Sequence, residues 1–344
     1  MNDVVQSVYV KKPFQFEFRD IQLREPGLNE VRLEVLACGI CGFDMETSKS
    51  LANEFKPIGH EICGRITQVG PNVSHVKVGD QVVLESSSFC GVCPQCRNGR
   101  VDLCVKAPNL WSEKALGFSS AMVVNAHGVL PAPDLEPTAA ALAEPCGVAL
   151  DVCKVAEIKL TDRVLVVGSG AIGLMALAIA RKLTAGTLVA ADVSDAKLAI
   201  ARKLGADHTV NVKSQSLATC GEPFGGFDKV LVTAPPTVLP DCFKCSAFGA
   251  IIVFIGSDFD GGGVIPIDTH ALHFGKMQLR ASFAAPALYL PEVLTLIRRG
   301  VVPADQIVSH RFPLSRITDG FKAIREQRDA TRKVMIIPDA LFQG

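Results

Sequence analysis

Hydrophobic and polar positions follow two different rhythms along this chain. Over residues 1 to about 150, short apolar runs at Val31–Leu36, Gly64–Val69 and Gln81–Leu84 are separated by turn chemistry at Pro26-Gly27, Gly70-Pro71-Asn72 and Gly79-Asp80. Runs of that length, bounded by Gly, Pro, Asn and Asp, predict strands, so this part reads as all-β. Pro131-Ala132-Pro133-Asp134 closes it. From about residue 155 the rhythm becomes strand, helix, strand. Arg163–Val167 is apolar after its first residue, as a parallel strand buried on both faces should be. Ala171–Leu183 reads as a helix and Leu188–Asp192 as a second strand. Ser194–Leu204 is a second helix, with Ser194 as N-cap and Gly205 as C-cap. His208–Val212, Lys229–Val232, Ile251–Ile255 and Gln278–Phe283 supply further strands. This alternation predicts an α/β, doubly wound parallel sheet that binds a nucleotide. A helix (Glu292–Arg299), a strand near Ile307–Arg311, a helix (Ile317–Arg325) and a strand (Lys333–Ile337) follow.

Bulk properties narrow the picture. With 344 residues the chain exceeds one ordinary core, so two domains are expected. The 35 basic residues balance the 35 acidic ones, which offers no field for nucleic acid or an anionic membrane. The longest apolar run, Val164 to Ala180, is split by its glycines and Ser169 into strand, turn and helix, and so is not a membrane span. Twelve cysteines behind a start, Met1-Asn2-Asp3, that lacks a basic and apolar leader point to metal ligands and buried thiols in a cytoplasmic protein.

Cys90, Cys93, Cys96 and Cys104 read C-x2-C-x2-C-x7-C. Cysteines two residues apart can chelate zinc from a tight turn, and Gly91, Pro94, Asn98 and Gly99 supply the turns. A closed four-thiolate site leaves no open coordination position, so this zinc is structural. Free thiols packed this densely would be an oxidation liability.

A catalytic zinc needs about three protein ligands and one open position. Cys41 stands in G-I-C-G-F-D and His60 in G-H-E. Two acids qualify as the third ligand: Glu61, directly after the histidine, and Glu144 in A-E-P. Asp44 is placed to orient the ligand histidine. Cys242 and Cys245, although two residues apart, read as packed thiols of a helix, as do the remaining cysteines.

Gly168, Gly170 and Gly173 form G-x-G-x-x-G after the strand Val164–Val167 and before a helix, which is the context the motif requires. Gly168 permits the tight turn, Gly170 lets backbone approach a pyrophosphate, and Gly173 lets helix pack on strand. Ser169, Ala171 and Ile172 complete the loop, whose helix N-terminus attracts phosphate. Asp192, about 20 residues on, ends the next strand, where a carboxylate holds the ribose hydroxyls of NAD.

Taken together, G-I-C-G-x-D, G-H-E, V-x-V-G-D, the cysteine lobe, A-E-P and G-S-G-A-I-G resemble, in order, the zinc-containing alcohol and polyol dehydrogenases of the medium-chain dehydrogenase/reductase superfamily. The resemblance covers essentially the whole chain. It implies a GroES-like all-β catalytic domain over 1–153 with a zinc lobe near 88–106, a Rossmann NAD-binding domain over 154–289, and a return to the first domain over 290–344. It also implies homodimers or homotetramers. Glu144 in A-E-P resembles the sorbitol, threonine and sugar dehydrogenase branch, where an acid replaces a cysteine ligand.

Three positions depart from the family. Phe43 stands where a Ser or Thr hydroxyl normally binds the substrate oxygen and starts the proton relay. Glu46 stands where some members carry a relay histidine. Phe283-Ala284 replaces the Phe-Arg of sorbitol dehydrogenases. The expectation is a zinc-dependent oxidoreductase that moves a hydride from a secondary alcohol to NAD, the alcohol being a polyol, cyclitol or sugar derivative. Glu144, Glu61 or a water would take the proton. A threonine-type amino-alcohol dehydrogenase is the alternative on the same scaffold. A catalytically impaired NAD-binding or structural protein, motivated by Phe43, is the alternative from another class.

Overall fold

The computed structural model describes residues 4–106, 110–257, 259, 263–284 and 289–343. The chain divides into two compact units. One holds the residues up to Gly147 together with those from Ala284 on, and the other is Val148–Phe283.

The first unit is built on sheets. A seven-stranded sheet runs in the order β15-β16-β3-β5-β6-β8, with β7 also paired to β3. Its strands are β3 (Glu30–Gly39), β5 (Glu61–Val69), β6 (Gln81–Leu84), β7 (Ala121–Asn125), β8 (Val129–Pro131), β15 (Val308–Pro313) and β16 (Lys333–Ile337). A three-stranded sheet joins β1 (Val4–Lys11), β2 (Gln15–Gln22) and β4 (Lys56–Pro57). The N-terminal hairpin of β1 and β2 falls within the all-β reading, and Gln15–Gln22 alternates polar and apolar residues as a strand covered on one face should. The core between these sheets includes Val8, Leu33, Ile62, Ile66, Phe118, Met122, Phe321 and Ile336. Burial of this kind contributes about 25 cal/mol per Å2 of apolar surface and makes the sheets a stiff platform.

The second unit is a parallel sheet in the order β11-β10-β9-β12-β13-β14. Its strands are β9 (Val164–Val167), β10 (Leu188–Asp192), β11 (His208–Asn211), β12 (Phe227–Val232), β13 (Ser246–Phe254) and β14 (Gln278–Ala281). Strand order reverses at β9, between β10 and β12, which is where doubly wound sheets hold ligands. The helix Ala171–Leu183 buries nine residues from Ala171 to Ala180, as its near-continuous apolar sequence requires. Ser194 caps the helix Asp195–Lys203 by accepting from the Lys197 N–H, as its position predicts. No helix among the described residues is long and apolar enough to cross a membrane.

Candidate active site and metal centres

Among the described residues, two groups of side chains could hold a metal ion. In each, the ligand atoms lie within 4.8 Å of one another: Cys90, Cys93, Cys96 and Cys104 in one, Cys41, His60 and Glu61 in the other.

The cysteine lobe is held by its own backbone. Cys93 caps the one-turn helix Pro94–Arg97, whose proline sits where no N–H is needed. The Cys90 N–H donates to the Cys104 sulfur at 3.3 Å, and the Cys93 N–H to the Cys90 sulfur at 3.4 Å. The Cys96 N–H and other neighbouring groups pull the Cys93 thiol down to about 6, whereas burial and the nearby Cys93 push the Cys96 thiol up to about 12, so without a metal the negative charge gathers on part of the set. Donors aimed at sulfur favour the thiolate, which is the form that binds zinc. The donor set therefore fits a closed zinc site.

The second group is assembled from separate elements. Cys41 caps the short helix Gly42–Glu46, and its sulfur accepts from the Phe43 N–H at 3.4 Å. Asp44 closes the turn from the other side, where its Oδ2 accepts from the Cys41 N–H at 2.9 Å. Its Oδ1 accepts from the Gly59 N–H at 3.3 Å and stands 3.5 Å from His60 Nδ1. That separation is an ion-pair distance outside hydrogen-bond geometry, and Nδ1 is a buried atom without a hydrogen-bond partner. Burial works against a charged imidazole. Asp44 and Cys41 outweigh it and hold the His60 pKa well above its ordinary value. A thiol, an imidazole and a carboxylate with ligand atoms within 4.8 Å of one another are a donor set that fits a metal.

Glu61 opens β5 opposite Gly39 on β3. A Cβ at position 39 would lie 2.0 Å from Glu61 Oε2, so only glycine leaves room for this carboxylate. Lys333, at the start of β16, reaches both Glu61 oxygens at 2.6 and 2.7 Å and donates to the Ile40 carbonyl at 3.1 Å. Both partners are nearly inaccessible. Burial lowers the Lys333 pKa, but Glu61, Cys41 and Glu144 together raise it above the ordinary value. Glu144 sits in the first turn of the helix Ala143–Val155 and accepts the Ser86 hydroxyl. It is not part of the 4.8 Å group. Burial raises its pKa, His60 and Lys333 act against that, and Glu61 adds to it.

Sequence reasoning missed Lys333, Ser86 and Trp111. Lysine at the head of a strand that is otherwise Val-Met-Ile-Ile was the available signal for the first, since a buried charge needs a partner. Trp111 packs against His60 with centroids 5.3 Å apart and against Phe43 at 5.9 Å. As the single tryptophan of the chain it could have been singled out, but nothing in the spacing brings it near residue 60. Cys38, Cys63, Cys146, Cys153, Cys242 and Cys245 are all buried.

In the second unit, Gly168 turns with φ +97° directly after β9, and a Cβ on Gly173 would strike the Gly168 carbonyl at 1.8 Å. A Cβ on Gly170, in contrast, would meet nothing within 4 Å, so the loop leaves an open cradle at the helix N-terminus. Asp192 holds the loop's edge. Its Oδ2 accepts from the Ser169 N–H at 2.6 Å and its Oδ1 from the Ser194 N–H at 2.9 Å. Ala171 and Ile172 begin the helix. Backbone donors at a helix start beside open space fit a pyrophosphate.

Comparison with known proteins agrees with this geometry. The family described as alcohol dehydrogenase GroES-like domain matches residues 27–134, and that described as zinc-binding dehydrogenase matches residues 171–299. The chain is 30% identical over 324 residues to an L-threonine 3-dehydrogenase of Aeromonas hydrophila, covering 89% of this chain and 92% of that protein. It is 28% identical over 319 residues to the L-galactonate-5-dehydrogenase of Escherichia coli K12, covering 91% and 93%. Its fold matches that of an alcohol dehydrogenase from Escherichia coli CFT073, solved with NADH, at a TM-score of 0.89. That match has 24% identity and covers 98% of this chain and 100% of the other. The chain belongs to the zinc-containing medium-chain dehydrogenase/reductase superfamily, in the branch of polyol and threonine dehydrogenases.

Proposed function

We propose that this protein oxidises a neutral secondary alcohol of the polyol or sugar class at the Cys41/His60 centre and passes the hydride to NAD. The observation that carries the reading is the convergence of Cys41, His60 and Glu61 within 4.8 Å, buttressed by the buried Asp44. When bound there, zinc would act as a Lewis acid that lowers the pKa of the substrate hydroxyl, and NAD would accept the hydride. Cys41 and His60 hold the metal. Glu144 is the third ligand in this reading, because both Glu61 oxygens are already taken by Lys333 while Glu144 accepts a neutral hydroxyl. Asp44 fixes the Cys41 turn and orients the His60 ring from behind.

Asp44, Glu61 and Glu144 surround the centre, and the cation among them, Lys333, is spent on Glu61. Such surroundings disfavour a carboxylate or phosphate substrate and favour a neutral alcohol. Asp192, fixed by two N–H groups, is set to accept ribose hydroxyls and to repel a 2′-phosphate. NAD is therefore expected over NADP by about a hundredfold in kcat/KM, or ~2.7 kcal/mol. Asp192→Ala should shrink that ratio. Twelve cysteines, none of them in a disulfide, fit a cytoplasmic setting. The edge strand β14, with Phe248 and Phe274 exposed nearby, fits self-association into dimers or tetramers.

The test is NADH production at alkaline pH from neutral polyols, sugars and amino alcohols, beside NAD binding by calorimetry. Turnover of a neutral polyol or sugar supports the reading. Threonine turnover alone would favour the amino-alcohol activity of the threonine dehydrogenase relatives. Binding of NAD without turnover of any of them would favour an impaired enzyme. Glu144→Gln should lose the catalytic zinc, whereas Glu61→Gln should keep it. The opposite pattern would make Glu61 the ligand.

A further inference from the structure

Two aromatic rings stand beside the metal-ligating histidine, and the mechanism above uses neither. Phe43 rides on the helix that Cys41 caps, its N–H on the Cys41 sulfur at 3.4 Å. Trp111 comes from a separate turn, Leu110–Ser112, after the cysteine lobe. The two rings meet edge to face, with centroids 5.9 Å apart and planes at 74°. Trp111 also lies against the His60 ring, 5.3 Å between centroids at 56°. His60 is 5% exposed, but Phe43 keeps 42% and Trp111 45% of its surface open. The pair is thus anchored to the metal centre on one side and accessible on the other. Large aromatic surface left open next to buried polar ligands is unfavourable in water unless something covers it.

We infer that Phe43 and Trp111 form a stacking wall that selects a substrate whose carbinol carbon lies in a ring, a cyclitol or a sugar in its cyclic form. The inference rests on the proposed oxidation of a neutral polyol and narrows its substrate class. A ring polyol carries hydroxyls around its rim and presents C–H groups on its faces. One face can lie on Trp111 while a rim hydroxyl points toward Cys41 and His60. An open-chain alcohol must freeze several C–C rotors to lie flat on the same rings, and a chain with hydroxyls along both flanks would also lose water from them without gaining partners. Phe43 sharpens the choice, because it offers a π surface and C–H edge where a hydroxyl would have gripped the alcohol of any small substrate.

A matched pair of probes tests this on the zinc-loaded protein with NAD: cis-cyclohexane-1,2-diol and hexane-3,4-diol, which share carbon number and two vicinal secondary hydroxyls. The ring diol should be preferred by about tenfold in kcat/KM, or ~1.4 kcal/mol, within the range of aromatic stacking. The preference should appear in KM more than in kcat. Trp111→Leu should erase the ring-over-chain ratio, Trp111→Phe should keep most of it, and Phe43→Ser should reduce it. Zinc content and Tm of each variant report whether the fold is kept. Equal use of the two diols, or a preference that survives Trp111→Leu, would overturn the inference while leaving the dehydrogenase reading intact. A second readout does not depend on turnover, because Trp111 is the only tryptophan in the chain. In zinc-loaded, NAD-free protein, its fluorescence should shift saturably with the ring diol and not with the open-chain one. That shift without oxidation of either diol would keep the wall and remove the reaction. Neither shift nor preference would remove the wall.

Discussion

The cysteine lobe and the Cys41 cluster are both groups of side chains that could hold a metal, yet they are built in opposite ways. The lobe takes its four thiols from one stretch, residues 90–104, whose turns position them almost unaided. The Cys41 cluster draws on a helix cap at 41–44, a strand start at 60–61, a helix turn at 144 and a strand start at 333. Sheet pairing of β3 with β5 and β16 brings three of these together. A local set can close on a metal and thereby organise its own loop. A set drawn from four elements is held by the fold and can leave one position open for chemistry.

The largest expected difference follows directly. Cys41→Ala or His60→Ala should abolish NADH production and leave NAD binding by calorimetry nearly intact, with little change in Tm. Cys96→Ser should instead lower Tm and remove one of two zinc ions, because structural zinc binding is folding free energy. A chelator should take the Cys41-held zinc first, since its shell is open. If Cys96→Ser melts like the parent, the lobe does not organise its loop, and the contrast between the two sets fails.

Legibility in the sequence followed the same division. The C-x2-C-x2-C-x7-C spacing and the glycine loop after an apolar strand are local patterns, and they marked the lobe and the cradle at Gly170 by residue. The strand Leu188–Asp192 and the helices Ala171–Leu183 and Ile317–Glu326 were also legible, because their period is carried by consecutive side chains. Cys41, His60 and Glu61 could be named, but nothing local decided between Glu61 and Glu144. That choice turns on Lys333, which is 272 positions from Glu61 and reaches it through pairing of β16 with β3. Trp111 was hidden for the same reason.

Lys333 gives the next test. It is the countercharge of a carboxylate with no solvent access, so Lys333→Met should leave Glu61 buried and unpaired, at a cost of about 3–5 kcal/mol. Chemical denaturation should show this as a lower midpoint, and Lys333→Met combined with Glu61→Gln should recover much of it. No such recovery would mean that Lys333 acts on something other than Glu61. The result sharpens the comparison, because it would show that the dispersed cluster contains a buried ion pair whose disruption is costly to the fold.

The smallest effect concerns Glu85, which follows β6 in the segment leading toward the lobe. Its side chain lines a cavity of about 380 Å3 with Ser88, Asn125 and Gly128. Burial pushes its carboxyl up to about 8 from an ordinary 4.5. A folded-state pKa above the unfolded value means the fold binds this proton more tightly than the open chain does. The stability it contributes is therefore complete below about pH 4.5 and is lost progressively as pH rises toward 8. Glu85→Gln keeps a neutral side chain of the same shape at every pH. The variant should match its parent most closely in mild acid and exceed it increasingly up to about pH 8.5, by on the order of 2 kcal/mol between pH 6.5 and 8.5. Melting curves of parent and variant across that range, in zinc-saturated buffer, give the difference. A gap that stays constant with pH would show that Glu85 is already charged in the fold. The end of β6 would then be better hydrated than its burial implies.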